Sequence, residues 1–125
     1  MTDPAADDQT PMAALRQALQ DCAVAGATVT YQELARRTSL PGPHAIHRLT
    51  SLLEAMVRED HAAGRPLLAA LAVSRAQDGV PGRGFFQLLA ELGRYDGPDQ
   101  GPEAAAHHAR ELQAALAFWG KGAPS

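Results

Sequence analysis

An amphipathic segment closed at both ends by helix-breaking residues sets the framework of this fold. From His44 to about Ala63, apolar residues recur at the spacing of one helix face and polar residues occupy the opposite face. The apolar residues are Ile46, Leu49, Leu52, Leu53, Met56 and Val57, and the polar residues are His47, Arg48, Ser51, Glu54 and Arg58. Prolines and a glycine at 41–43 precede the segment, and Gly64 and Pro66 follow it. The pattern predicts one helix whose apolar face must be covered by the rest of the chain.

Two shorter patterns predict helices ahead of this segment. Thr10 is a suitable N-cap, Pro11 suits the first helical position, and Gly26 is a stop signal. The inward side chains of this first helix are expected to be Leu15, Leu19 and Cys22. Residues 1–9 are acidic and show no periodicity, so we expect a disordered arm there.

The second helix is expected to begin at a capping box. Thr30 can act as the N-cap, and Glu33 follows it at the spacing of that motif. This helix is predicted to continue to about Thr38, with Arg36 and Arg37 facing solvent. Together with the turn at 41–43 and the helix from His44, it has the order of a helix-turn-helix.

The second half of the chain is predicted to add strands and a last helix. The apolar run Leu67 to Arg75 indicates a strand, and the glycine- and proline-rich segment 76–84 indicates a hairpin or wing. The segment 85–92 is expected to be a returning strand that passes into a short helix. A linker at 95–102 then leads to a C-terminal helix, 103–120, packed on the same domain. Its inward residues are expected to be Ala105, Ala109, Leu112, Leu116 and Trp119, with Gly120 as a left-handed C-terminal residue.

These elements predict a mainly α (α+β) fold, a winged helix-turn-helix domain at 10–94 with an added C-terminal helix. The composition agrees, because 26 of the 125 residues are alanine, the best helix former. No apolar run approaches the roughly 18 residues that span a bilayer, so we expect a soluble, cytoplasmic protein of a bacterial type with no membrane partner.

The distribution of charge separates the middle of the chain from its ends. The net charge is −3, yet residues 31–94 hold eight arginines against six acidic residues. Ten of the eleven Lys and Arg residues are arginine, whose planar guanidinium suits phosphate. A surplus this small is also compatible with ordinary solvated arginines, so charge alone does not identify a nucleic-acid partner.

Most catalytic and metal chemistries lack their residues in this chain. The single cysteine, Cys22, excludes an internal disulfide and a cysteine-based zinc cluster, and is expected to be a small buried hydrophobe. His44 and His47 lie one turn apart, and Glu103, His107 and Glu111 share a helix face, but we interpret the second set as a solvated face. No nucleotide-binding glycine loop or nucleophilic triad is present. We therefore expect no catalytic residues, no metal, no cofactor and no enzyme activity.

A family resemblance appears in residues 28–67. The run Val29-Thr30-Tyr31-Gln32-Glu33-Leu34-Ala35, then Leu40-Pro41-Gly42 and His44-Ala45-Ile46-His47-Arg48, resembles the DNA-binding half of alkylguanine DNA alkyltransferases and alkyltransferase-like proteins. The resemblance implies damaged-DNA binding through the helix-turn-helix. It matches Tyr31 to the family's tyrosine, but His44 replaces the inserted arginine and Leu67 replaces the active-site cysteine. A leucine cannot be a nucleophile, so alkyl transfer is excluded at this position.

The function expected from these observations is non-enzymatic binding of double-stranded DNA. The helix from His44 would face a groove, residues at the start of the helix-turn-helix would contact phosphates, and the wing would contact the backbone. The candidate DNA-binding residues are Thr30, Tyr31, Arg36, His44, His47, Arg48, Ser51, Arg75 and Arg83. The alternative is a protein-interaction adaptor that binds a protein partner, or a second copy, through the winged-helix scaffold or the C-terminal helix with Phe118 and Trp119.

Overall fold

Helices make up most of the structure, a computed structural model that describes residues 4–38, 40, 44–75 and 79–121. Within these residues the elements are α1 (Pro4–Ala25), β1 (Val29–Thr30), α2 (Tyr31–Arg37), α3 (Ala45–Ala63), a 3-10 helix (Leu68–Leu71), β2 (Ala72–Val73), α4 (Arg83–Glu91) and α5 (Pro102–Trp119). The expectation of a mainly α fold with a small β component is confirmed.

The two strands form a parallel pair. Val29 pairs with Ala72, and Thr30 pairs with Val73. Parallel neighbours need a crossover connection, and here α2, α3 and the 3-10 helix provide it. The wing predicted at 76–84 is described in part: an antiparallel bridge joins Ser74 and Val80, and residues 76–78 lie outside the described residues.

The first helix begins earlier than the sequence pattern predicted. Its backbone is helical from Pro4, so most of the expected disordered arm belongs to α1, while residues 1–3 lie outside the described residues. The physical reason is a favourable helix start ahead of Thr10. Pro4 has the fixed φ that suits a first helical position.

The prediction of a strand at 67–75 is wrong for most of its length. Residues 68–71 form the 3-10 helix, and only Ala72 and Val73 are extended with a strand partner. Every residue of the 3-10 helix is buried. A strand places successive side chains on opposite faces. Here α1, α3 and α5 pack around the segment and bury all of its side chains, so that alternation brings no advantage. Alanine also has a low strand propensity. This central position makes the segment the middle of the core.

The returning strand expected at 85–92 is also wrong, because the segment belongs to helix α4. The side chains of Phe86, Leu88 and Leu89 are buried. Apolar residues at i, i+3 and i+4 share one helical face, whereas a strand would place Phe85 and Phe86 on opposite faces. The helical periodicity was therefore the stronger signal in this segment.

The buried face of α5 agrees with the predicted one only in part, because Leu112, Leu116 and Trp119 pack against the core but are half-buried. Ala104, His108, Glu111 and Ala115 are its buried residues, whereas Ala105 and Ala109 are exposed. The two polar residues of this face find partners inside the fold: the His108 ring lies 2.8 Å from the carbonyl of Ala70, and the Arg94 guanidinium donates to both carboxylate oxygens of Glu111. The interpretation of Glu103, His107 and Glu111 as a solvated face is thus wrong for Glu111.

Gly120 ends α5 in a conformation that the sequence did not predict. Its φ of −73° is right-handed, so the left-handed C-terminal residue expected there is absent. A Cβ at this position would lie 2.8 Å from the carbonyl oxygen of Ala23 and 2.3 Å from that of Leu116. Glycine is required here because the ends of α1 and α5 approach each other closely.

A buried carboxylate ties three helices together. Asp60 on α3 is fully buried and accepts hydrogen bonds from Arg16 on α1 (2.9 Å) and from Arg65 (2.8 and 3.1 Å). Both guanidinium groups face the ring of Trp119, at 6.0 and 5.6 Å from its centroid. The indole N–H of Trp119 donates to the carbonyl of Pro66 at 2.9 Å. The C-terminal helix is therefore held on its own domain through Trp119.

His108 makes the stability of the fold depend on pH. Burial lowers the pKa of His108 below its usual 6.5, so the ring is neutral in the folded protein near neutral pH and its Nε2–H donates to Ala70. Burial raises the pKa of Glu111, but hydrogen bonds and charge from Arg94 and His107 outweigh burial and lower it overall. On acidification the unfolded chain takes up protons at both groups before the folded protein does.

We therefore expect the free energy of unfolding to decrease as the pH falls from about 7 to about 5, mainly through His108, and to decrease further below the usual carboxyl range through Glu111. Urea denaturation at several pH values measures this. His108→Gln keeps an N–H donor for Ala70 but does not titrate, so it should flatten the upper part of the profile. An unchanged slope in this variant would contradict the assignment to His108.

Candidate nucleic-acid interface

The start of α2 is fixed by two hydrogen bonds. The hydroxyl oxygen of Thr30 accepts from the backbone N–H of Glu33 at 3.2 Å, so the predicted N-cap is confirmed. The hydroxyl of Tyr31 accepts from the backbone N–H of Gly82 at 2.8 Å, and burial raises the pKa of Tyr31. Two candidate phosphate contacts, Thr30 and Tyr31, thus have structural roles. The bond to Tyr31 also places Gly82 beside the start of α2.

The exposed side chains of the first two turns of α3 include no carboxylate and are polar except for Ile46. His44, His47, Arg48, Thr50 and Ser51 are exposed, while Leu49 lies fully buried beneath them. Arg48 makes no ion pair within the part of the chain that the structure describes. Four predicted residues, His44, His47, Arg48 and Ser51, are therefore brought together on one surface, and sequence reasoning missed Thr50 beside them.

The second half of α3 has a different character. Glu54 and Glu59 are exposed, and the Arg58 guanidinium is paired with Glu91 of α4. The positive surface of this helix is consequently limited to its N-terminal half. Ile46, predicted to lie in the core, is 41% exposed because the helix extends past the core at this end.

The positive charges of Arg36 and Arg37 on α2 are partly neutralised by a neighbouring carboxylate. Glu33 forms ion pairs with both Arg36 and Arg37, the second at 3.0 Å. Hydrogen bonds from Arg37 and then Arg36 lower the pKa of Glu33. Arg37 also points one guanidinium nitrogen at the sulfur of Cys22, 3.4 Å away. Arg36 remains exposed, but its charge is partly compensated where it stands.

Arg75 precedes the segment 76–84 that was predicted as the wing, and Arg83 lies within it, where the structure has already begun α4. Arg75 is exposed directly after the Ser74 to Val80 bridge. Arg83 is the first residue of α4, is exposed, and donates to the side-chain oxygen of Gln100 at 2.6 Å. Because Gly82 contacts Tyr31, the backbone of Arg83 lies near the start of α2. The tip of the segment falls outside the described residues.

The described residues offer no cluster suited to metal chemistry. No group of three or more His, Cys, Asp or Glu side chains suited to a metal occurs in the described ranges. The described helices also include none with the length and apolarity to cross a membrane. Comparison of the chain with protein-family models, with curated proteins and with solved structures found no match. The function must therefore be argued from the surface itself.

Proposed function

We propose that this protein is a non-enzymatic winged helix-turn-helix protein that binds double-stranded DNA through the N-terminal half of α3. His44, His47, Arg48 and Ser51 would face a groove, and Thr50 would join them. Arg75 and Arg83 would contact the backbone from the segment after β2, with Arg36 as a weaker contact because Glu33 compensates its charge.

The observation that carries the proposal is the absence of carboxylates among the exposed side chains of the first two turns of α3. In a chain with a net charge of −3, this surface instead holds two histidines and an arginine that makes no ion pair with any described residue. Phosphate repulsion would be strongest where acidic residues are exposed, so this surface is the part of α3 that can approach DNA.

The position of the helix in the fold supports the same conclusion. Helix α2 packs across α3, and Leu49 and Leu53 anchor α3 in the core, so its exposed face is rigidly presented. Rigid presentation lowers the cost of ordering side chains on binding. The resemblance to the DNA-binding half of the alkyltransferases favours the same surface. Leu67, in place of the active-site cysteine, is fully buried and offers no nucleophile.

A salt titration tests the proposal. Fluorescence anisotropy with a labelled duplex of mixed sequence should show binding at low salt. If Arg48, Arg75 and Arg83 neutralise phosphates, the logarithm of the affinity should fall with the logarithm of salt concentration with a slope of about −2.7, which is about 40-fold for a fourfold rise in salt.

Absence of binding at low salt would contradict the proposal. The exposed side chains of Val24 (58%) and Phe118 (47%), on helices whose ends meet at Gly120, would then be the surface to test for a protein partner or a second copy.

A further inference from the structure

Two histidines lie beside Arg48 at the start of α3. His47 precedes Arg48 in the chain, and the backbone N–H of Arg48 donates to the carbonyl of His44, one helical turn earlier, at 3.0 Å. All three side chains are exposed. Histidine is the side chain that ordinarily changes its charge between about pH 5 and pH 8. The positive charge of this surface can therefore vary from one arginine to an arginine and two imidazolium groups.

The described residues provide no counter-charge for a protonated ring at this position. No carboxylate lies at ion-pair distance from either imidazole in the part of the chain that the structure describes. Helix α2 packs against α3, and its charged groups, Glu33, Arg36 and Arg37, pair with one another. The hydroxyl of Tyr31 stays neutral in this pH range, because burial raises its pKa.

The acidic residues that contact or belong to α3 lie further along the helix. Its ion pairs with neighbouring helices, formed with Arg16 of α1 and Glu91 of α4, are in its C-terminal half, and the first residue of α4, Arg83, is itself a cation. The first carboxylate on α3 is that of Glu54, seven positions after His47 and thus about 10 Å along the helix axis. Exposed charges at this separation are largely screened at physiological salt, where the Debye length is about 8 Å.

We propose that His44 and His47 couple DNA binding to protonation, so that the protein binds duplex DNA more tightly in mildly acidic than in mildly alkaline solution. This inference rests on the DNA binding proposed above. Phosphate oxygens form charge-assisted hydrogen bonds with an imidazolium, whereas a neutral imidazole forms only ordinary ones and releases no counterion. Because linkage is reciprocal, DNA that favours the protonated rings is also bound more tightly when the rings are protonated.

Salt titrations of DNA binding at about pH 8 and about pH 5.5 test the proposal. With the labelled duplex of mixed sequence, the slope should be about −2.7 at the higher pH, where only arginines neutralise phosphates, and about −4.5 at the lower pH, where two more cations contribute. At about 0.1 M salt we expect binding to be about tenfold or more tighter at the lower pH. Loss of folded protein at the lower pH would change the affinity in the opposite direction.

Two sets of variants assign the effect to this surface. The double variant His44→Gln, His47→Gln keeps exposed polar side chains that do not titrate, so it should bind like the original protein near pH 8 and show no increase near pH 5.5. His61→Gln is the matched control at the other end of α3, and it keeps an acceptor for Arg94. The chain has five histidines, so a general gain of positive charge would be reduced by either set. We expect the control to retain the full pH dependence.

The outcomes separate this proposal from the proposed function. Equally tight binding at the two pH values would overturn the coupling and leave DNA binding intact. A pH dependence that persists in the double variant, or that His61→Gln reduces to the same extent, would also overturn it, because other groups would then carry the effect. Absence of binding at both pH values at low salt would contradict DNA binding itself, and the coupling with it.

Discussion

Replacing Asp60 by alanine is expected to destabilise the fold by about 3 kcal/mol, because breaking a buried ion pair strands its partners. The carboxylate is fully buried and accepts from Arg16, Arg65 and the backbone N–H of Leu68. Alanine would leave that N–H without its acceptor and the two guanidinium groups without their counter-charge. Part of each arginine side chain is exposed, so water can solvate the two guanidinium groups and reduce the loss of stability. Urea denaturation followed by circular dichroism measures the change.

Glu59 provides the matched control. It is the neighbouring acid, it pairs with the same Arg16 at 3.0 Å, and about half of its side chain is exposed. Glu59→Ala should therefore cost at most about 1 kcal/mol, since exposed ion pairs contribute little. If the two substitutions were equally destabilising, burial would not be the property that makes Asp60 important.

Reversing the charge of Arg48 should weaken binding to duplex DNA about tenfold or more at moderate salt. Arg48→Glu removes one phosphate-directed cation and places a carboxylate on the surface that otherwise has none in the first two turns of α3. The slope of the salt dependence should become shallower by about one. Arg48 is exposed and makes no ion pair with the described residues, so the stability of the fold should be little changed.

Arg110→Glu distinguishes a located interface from general electrostatic attraction. Arg110 is also exposed and makes no ion pair with the described residues, but it lies on α5. Its reversal changes the net charge by the same amount and should have a much smaller effect on DNA binding. Equal losses in the two variants would show that α3 is not the binding surface.

Local sequence patterns predicted helices α2 and α3 well. The buried side chains of α3 include Leu49, Leu53, Met56 and Val57, all taken from the predicted apolar face. The N-cap at Thr30 also formed as expected. These features depend only on residues one or two helical turns apart, so the local sequence is sufficient to predict them. The same is true of the exposure of His47 and Arg48.

The features that sequence patterns did not predict depend on distant partners. Asp60 and Glu111 are buried charges, and their partners Arg16 and Arg94 lie 44 and 17 positions away. The bond from Gly82 to Tyr31 spans 51 positions. The 3-10 helix at Leu68 is likewise a product of its surroundings, because three helices enclose it. No local spacing encodes such pairings.

The parallel pairing of β1 with β2 also affects how the chain reaches its native state. Val29 and Ala72 can pair only after the chain between them has closed into a long loop. The loss of chain entropy on loop closure therefore comes before the ladder forms any hydrogen bond. A protein this rich in helix would otherwise collapse quickly through neighbouring contacts. We therefore expect the two-residue ladder to form late in folding, after the local contacts of α2 and α3.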